Sequence, residues 1–256
     1  MITIPQENML HVIQHYLSEK KPASITRFGD GEAMVLNGFN DMHALKLVMK
    51  RQFGYVPPID EIEAIRNNLI QAYTDADIIG VPVNKRLDDK KSYWYRAFNI
   101  LTENVGIEVL QGKDLTSIDF HSHFLDEGYW HKLLDGRDTL CYISCRDLDE
   151  AFKRRYGIKN VWSYIIAPEM KFDLTYSGKK HYPDQFNEIR RWVTKIPVEG
   201  NLCLVGAGVA GKIYNSWFKE RGGISVDAGS CFDDWAGKVT RGPNRGAESF
   251  DDTHKL

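Results

Sequence analysis

The sequence predicts an α/β fold, a mostly parallel sheet with helices packed on both faces, and three observations carry that expectation. Helix-like and strand-like hydrophobic patterns alternate along most of the chain. The strand candidates are short and largely apolar, as strands are when both sides are covered. Four of them run straight into loops of Gly, Asp, Glu, Arg and Ser, the residue types that build ligand sites at the C-terminal edge of such a sheet.

Met9, Leu10, Ile13, Tyr16 and Leu17 form a stripe at helical spacing, and ASITRF (23–28) then reads as a strand. Ile59, Ile62, Ile65, Leu69 and Tyr73 give a second clear helical period. DIIGVPV (77–83) reads as a buried strand and YWYRAFNIL (93–101) as the next helix. In DFHSHF (119–124) the alternation of His121 and His123 suggests a strand that shows both to one side. TLCYIS (139–144), VWSYII (161–166), NLCLV (201–205) and ISVD (224–227) are further strands, with helical segments between them. No internal repeat or low-complexity linker interrupts the pattern, so residues 1–239 read as one domain. The polar tail, 240–256, is expected to be mobile.

Composition narrows the functional classes. A hydrophobic share of 43% and a charged share of 27% suit an ordinary globular protein. The net charge of −2 argues against sequence-independent nucleic-acid binding, which needs a surplus of Lys and Arg. No apolar run approaches the ~20 residues that span a bilayer, and MITIPQENML lacks the features of a signal peptide. Cys141, Cys145, Cys203 and Cys231 form no CxxC pair and read as small hydrophobes. The expectation is a cytoplasmic protein with no nucleic-acid partner and no transmembrane segment. Assembly into a homo-oligomer stays open.

Chemistry concentrates in the loops. LVGAGVAGKIY (204–214) sets Gly206, Gly208 and Gly211 as GxGxxG after a strand, with Asp227 ending the next strand as a ribose-binding acid would. Too little chain follows for the units that complete a dinucleotide domain downstream, so N-terminal strands would have to finish the sheet in permuted order. Gly206 to Lys212 also matches GxxxxGK, but Ile213 replaces the Ser or Thr that a P-loop needs. Two readings remain: loop amides that cradle a phosphate at a helix N-terminus, or glycines that only let strand and helix pack closely.

RFGDGE (27–32) follows the first strand. In an extended segment Asp30 and Glu32 would point the same way, and Gly29 and Gly31 would let a ligand approach the backbone. Two such oxygen donors suit Mg²⁺ or Mn²⁺ shared with a diphosphate. The competing reading is an acidic helix start, favoured by the dipole of EAMVLNGF.

RFGDGE, ISCRDL (143–148) and LVGAGVAGKIYNSWFKERGGISVDAGSCFDDWAG (204–237), with HYPDQFNEI (181–189), together resemble the GT-D-type glycosyltransferases. The resemblance implies a Rossmann-like fold and metal-dependent transfer of a sugar, as by a hexosyltransferase. The donor would be a nucleotide sugar, typically a UDP-sugar such as UDP-glucose. The acceptor would be a bacterial glycan or glycoprotein. It assigns Mn²⁺ or Mg²⁺ to a D-x-E motif, here Asp30 and Glu32.

Such a reaction needs a neutralised leaving diphosphate, an oriented donor and a base for the acceptor hydroxyl. Arg27, Gly29, Gly206, Gly208 and Lys212 would serve the diphosphate. Arg146 is a second phosphate candidate, or else a surface partner of Asp147. Asp227 and Ser230 would hold ribose or sugar hydroxyls, unless Asp227 caps the helix in GSCFDDW. Asp147 is the first choice of base, ahead of His121 and His181, unless it caps LDEAFKRRY. Aromatic residues near 93–98 and 129–130 read as core before sugar platforms. Two rivals stand: an NAD(P)- or other nucleotide-dependent enzyme built on the glycine loop, and a non-catalytic nucleotide-sugar-binding module.

Overall fold

The computed structural model describes residues 2–38, 40–82, 90, 92–169 and 177–238. The polar tail and Val83, the end of one expected strand, lie outside them. Eight strands form one sheet: β1 (Ile2–Thr3), β2 (Ala23–Arg27), β3 (Ile78–Val81), β4 (Asp114–Ser117), β5 (Thr139–Ser144), β6 (Asn160–Ile165), β7 (Leu202–Gly206) and β8 (Ile224–Asp227). Their order is β1-β4-β3-β2-β8-β7-β5-β6, and every pairing is parallel. The last strand pairs with β2 at Ala23–Ile224, Ser24–Ser225 and Ile25–Val226, so N-terminal strands complete the sheet in the permuted order expected.

Twelve α-helices accompany the strands among the described residues: α1 (Met9–Ser18), α2 (Asp30–Leu36), α3 (Met42–Phe53), α4 (Ile59–Asp75), α5 (Tyr93–Val105), α6 (Ile107–Gln111), α7 (Phe120–Asp126), α8 (Tyr129–Leu134), α9 (Asp149–Tyr156), α10 (Phe186–Val193), α11 (Ala210–Glu220) and α12 (Cys231–Trp235). No helix among the described residues is long and apolar enough to cross a membrane.

Strand alternation divides the core in two. Leu140, Tyr142, Leu202, Leu204, Ile224 and Val226 face α1, α7, α8, α9 and α12. Cys141, Ile143, Cys203 and Val205 face the other way, toward α2, α3, α4, α5, α10 and α11. Successive side chains of a strand point to opposite faces, so runs such as TLCYIS and NLCLV are apolar at nearly every position because both faces are covered. Cys141, Cys203 and Cys231 are buried within these cores and form no disulfide, and the Cys231 thiol donates to the His121 carbonyl at 3.2 Å.

Three elements depart from expectation. β1 is only two residues long, and β4 carries the polar DLTS, so neither shows a strand pattern in sequence. DFHSHF is helical rather than extended. Phe120 and Phe124, one helical turn apart, are both fully buried with ring centroids 5.7 Å apart, and that burial outweighs the local alternation. His121 and His123 therefore part: His121 turns inward, 2% exposed, while His123 packs against Tyr129.

Candidate functional site

The C-terminal ends of β2, β5, β7 and β8 open on one cleft of about 590 Å³, as the rule for parallel sheets requires. Arg27, Gly29, Asp30 and Glu32 come from the first loop and Ser144 and Cys145 from the second. Gly206, Ala207, Gly208 and Lys212 come from the third, and Asp227, Gly229 and Ser230 from the fourth. Helix α3 adds Arg51 and Gln52 to the wall, and α5 adds Tyr93 and Trp94.

The acidic loop is not extended. Helix α2 begins at Asp30, so Asp30 and Glu32 lie on different sides of its first turn. Glu32 is 6% exposed; its Oε2 accepts from the Gly29 amide at 2.9 Å and its Oε1 lies 3.0 Å from Lys212 Nζ. Asp30 is exposed, and only its backbone carbonyl is engaged, by the Tyr93 hydroxyl at 3.3 Å. The helix start expected of these carboxylates is what forms, and both residues line the cleft.

Lys212 is the hub of the floor. It leaves the first turn of α11 and folds back so that Nζ lies 2.8 Å from Asp227 Oδ2 and 3.0 Å from Glu32 Oε1, and donates to the Gly208 carbonyl at 3.3 Å. Asp227 Oδ1 accepts from Arg27 Nη2 at 3.0 Å. Arg27 Nη1 in turn reaches the His121 ring, 2.8 Å from Nε2 and 2.9 Å from Nδ1. Burial pulls the pKa values of Arg27 and Lys212 down, but the carboxylates, Asp227 foremost, hold both above their ordinary values. Burial raises Asp227, and the two cations more than offset it and hold its carboxyl low. Asp227 is thus neither a helix cap nor a free ribose acceptor.

The glycines divide by role. A Cβ on Gly206 would lie 2.4 Å from Phe232 Cδ2 and 2.8 Å from the Gly229 carbonyl; one on Gly211 would lie 3.1 Å from Val205 Cγ1. Those two permit close packing. Gly208, at φ 55°, faces the cleft. Beside it the Val209 amide donates to Gln52 Oε1 at 3.1 Å, the position a phosphate oxygen would take at a helix start. Gly31 brings the acidic turn to this loop, since a Cβ there would sit 3.1 Å from Val209 Cγ2.

Of the remaining candidates, Ser230, His121 and His181 line the cleft and Arg146 and Asp147 do not. Arg146 pairs with Asp233, not Asp147: Nε donates to Oδ1 at 2.8 Å, and Nη2 lies 2.8 Å from the same oxygen. Asp147 is exposed and does not line the cleft; its Oδ1 faces the Asp149 amide at 3.4 Å, at the start of α9. Ser230 lines the cleft ahead of α12. His121 and His181 line it as well. Arg51, Gln52, Asp119 and Glu169 had no sequence signal, whereas Asp233 lay within the motif stretch 204–237 without being assigned a role. Apolar spacing at Leu45, Val48, Met49 and Phe53 could have revealed α3, but not its place over the glycine loop.

His181 Nε2 and the Tyr214 hydroxyl are 2.8 Å apart, and burial holds the imidazole pKa down at about 4. Unfolding frees it to titrate near its ordinary 6.5. Between those values only the unfolded chain takes the proton, so stability falls as pH drops through the window, by about 3 kcal/mol at most. His181→Gln is expected to flatten that part of the profile. Urea unfolding at pH 7 and 4.5 would show it, and an unchanged slope would refute the assignment.

Among the described residues six carboxylates line the cleft (Asp30, Glu32, Asp119, Glu169, Asp227 and Asp233) beside three cationic side chains (Arg27, Arg51 and Lys212), and Asp233 is paired with Arg146. Among the described residues no three His, Cys, Asp or Glu side chains form a metal-ligating group. Magnesium-type sites often use one or two carboxylates plus substrate phosphates. Asp30 meets that requirement; Glu32, turned to Lys212, does not present a free oxygen.

A family model described as a GT-D fold-like domain matches residues 4–235. None of the curated proteins matches the chain. Among solved structures, one described as the highly conserved domain of unknown function 1792 with a distinct glycosyltransferase fold aligns at TM-score 0.56 and 16% identity, covering 100% of this chain and 91% of its own. A new glycosyltransferase (DUF1792) from Streptococcus sanguinis aligns at 0.57 and 16%, covering 100% and 94%.

Proposed function

The chain belongs to the GT-D-like family, and we propose that it is a glycosyltransferase using a nucleotide-sugar donor, a UDP-sugar such as UDP-glucose, and a glycan or glycoprotein acceptor. The observation that carries this reading is the floor of the cleft, where a glycine loop meets two buried cations, Arg27 and Lys212, inside an excess of carboxylate.

Transfer breaks the bond between the anomeric carbon and the donor diphosphate, so catalysis depends on stabilising charge that develops on that leaving group. Arg27 and Lys212 are held rigid by Asp227 and Glu32, ready for that task without reorganisation. A diphosphate oxygen displaces Gln52 from the Val209 amide and takes up the helix N-terminus. When bound by Asp30, Mn²⁺ or Mg²⁺ would supply Lewis-acid charge to the diphosphate and offset the acidic wall. Of the groups weighed as proton acceptors for the incoming hydroxyl, His121 and His181 line the cleft and Asp147 does not.

The nicotinamide alternative loses support at Asp227, whose oxygens face Arg27 and Lys212 at 2% exposure. A thermal-shift panel of UDP-glucose, other nucleotide sugars and NAD(H), with and without Mn²⁺, tests the reading. Stabilisation by a UDP-sugar that chelator removes is the expected result, followed by slow donor hydrolysis or transfer. Stabilisation by NAD(H) alone would overturn it, and tight UDP-sugar binding with no turnover would favour a binding module.

A further inference from the structure

Besides the charged floor, the cleft has an aromatic side. Tyr93 is 39% exposed, among the few large hydrophobic side chains so exposed in the described residues, yet it is fixed in place. Ser92 caps α5 by accepting from the Tyr95 amide at 3.0 Å, which sets the direction of the first turn. Trp94 stands edge-on to the Tyr93 ring, with centroids 5.4 Å apart and planes 77° apart. The Tyr93 hydroxyl donates to the Asp30 carbonyl at 3.3 Å. A part-exposed ring held on the cleft wall beside an exposed carboxylate presents a face that a ligand can cover.

The neighbours define what that ligand is. The cations that suit phosphate, Arg27 and Lys212, lie on the floor beyond Glu32; the Tyr93 side offers the carboxylate of Asp30, with Asp119 also on the wall. Asp30 and Glu32 outweigh Arg96 in the field at the Tyr93 hydroxyl, which disfavours a polyanion there. The surface complements a neutral ring with an apolar face for the aromatic and hydroxyls for the carboxylates. A pyranose has that division. Asp30 also stands between the two regions, Glu32 of its own helical turn reaching Lys212 and its backbone reaching Tyr93. An acceptor seated on Tyr93 therefore approaches a donor whose diphosphate lies on the glycine loop.

We propose that Tyr93, braced edge-on by Trp94, forms the acceptor subsite, a stacking face for a neutral pyranose; this rests on the glycosyltransferase reading for the word acceptor, but not for the ligand class. The test uses saturation-transfer NMR with methyl β-D-glucopyranoside, methyl β-D-galactopyranoside and methyl N-acetyl-β-D-glucosaminide as probes, with UDP and Mn²⁺ present or absent. At least one glycoside should receive saturation on its ring C–H protons from the wild-type protein. Its affinity should fall about tenfold in Tyr93→Ala and largely persist in Tyr93→Phe, which keeps the ring. UDP affinity should stay within about twofold in both variants.

Glycoside binding that survives in Tyr93→Ala, or no glycoside bound by the wild type, overturns the platform. A tenfold loss of UDP affinity in Tyr93→Ala, about the effect of losing a stacked base, overturns it in favour of a nucleobase pocket. Failure of the wild type to bind UDP counts instead against the glycosyltransferase reading. In that case a Tyr93-dependent glycoside signal still upholds the pyranose site.

Discussion

Replacing Lys212 by methionine is expected to destabilise the protein by about 3–5 kcal/mol, the usual cost of removing one partner from a buried ionic group. The ammonium is 5% exposed and balances Glu32 and Asp227, themselves 6% and 2% exposed. Methionine fills similar space but leaves Glu32 facing no cation and Asp227 with Arg27 alone. Asp227 then loses part of what holds its carboxyl low. A depressed carboxyl contributes stability that is present above its unfolded pKa and lost as pH falls through its folded value. The variant should therefore lose stability at a higher pH than the wild type. Denaturant unfolding across the acid range measures both effects. A loss below about 1 kcal/mol would mean that the cluster of Arg27, Glu32, Lys212 and Asp227 is solvated and that Lys212 is not its hub.

Asp30→Ala should do the reverse. Asp30 is exposed and its carboxylate makes no bond among the described residues, so stability should change by no more than about 0.5 kcal/mol. Metal-dependent UDP affinity should nevertheless fall by about 100-fold, as expected where a single side chain holds the cation between protein and phosphates. Calorimetric titration of UDP with Mn²⁺, repeated with chelator, reads the effect. Glu32→Ala makes the control. It strips Lys212 of a partner and should cost stability first, whereas loss of metal dependence in Glu32→Ala but not in Asp30→Ala would move the cation to Glu32.

The two variants separate what RFGDGE left joined. The segment was legible as part of the rim of the cleft because it follows an apolar strand and because three other strands end in comparable loops. The relation between its carboxylates was not legible. An extended backbone makes residues two apart parallel, and a helix turns them away from each other. The decision belonged to Glu32, whose burial against Lys212 comes from a helix start 180 residues downstream in the chain. The histidines of DFHSHF failed similarly: their alternation is compatible with a strand, and only the burial of Phe120 and Phe124 makes the segment a helix.

By itself the sequence determined the α/β class, the near-continuous apolar strands, the four loops that open on the cleft and the glycine pattern after β7. Each depends on local spacing or on burial that a strand's own composition reports. Only the tertiary structure decided which charges meet. Arg27 finds Asp227, Arg146 finds Asp233 and Lys212 finds Glu32 across separations that no local pattern encodes. It also decided that Asp147 stays outside the cleft and that Gln52 covers the glycine loop. Hydrophobic periodicity is written along the chain, whereas ionic and hydrogen-bonded partners are chosen by the order of strands in the sheet, and that order exists only once the chain has folded.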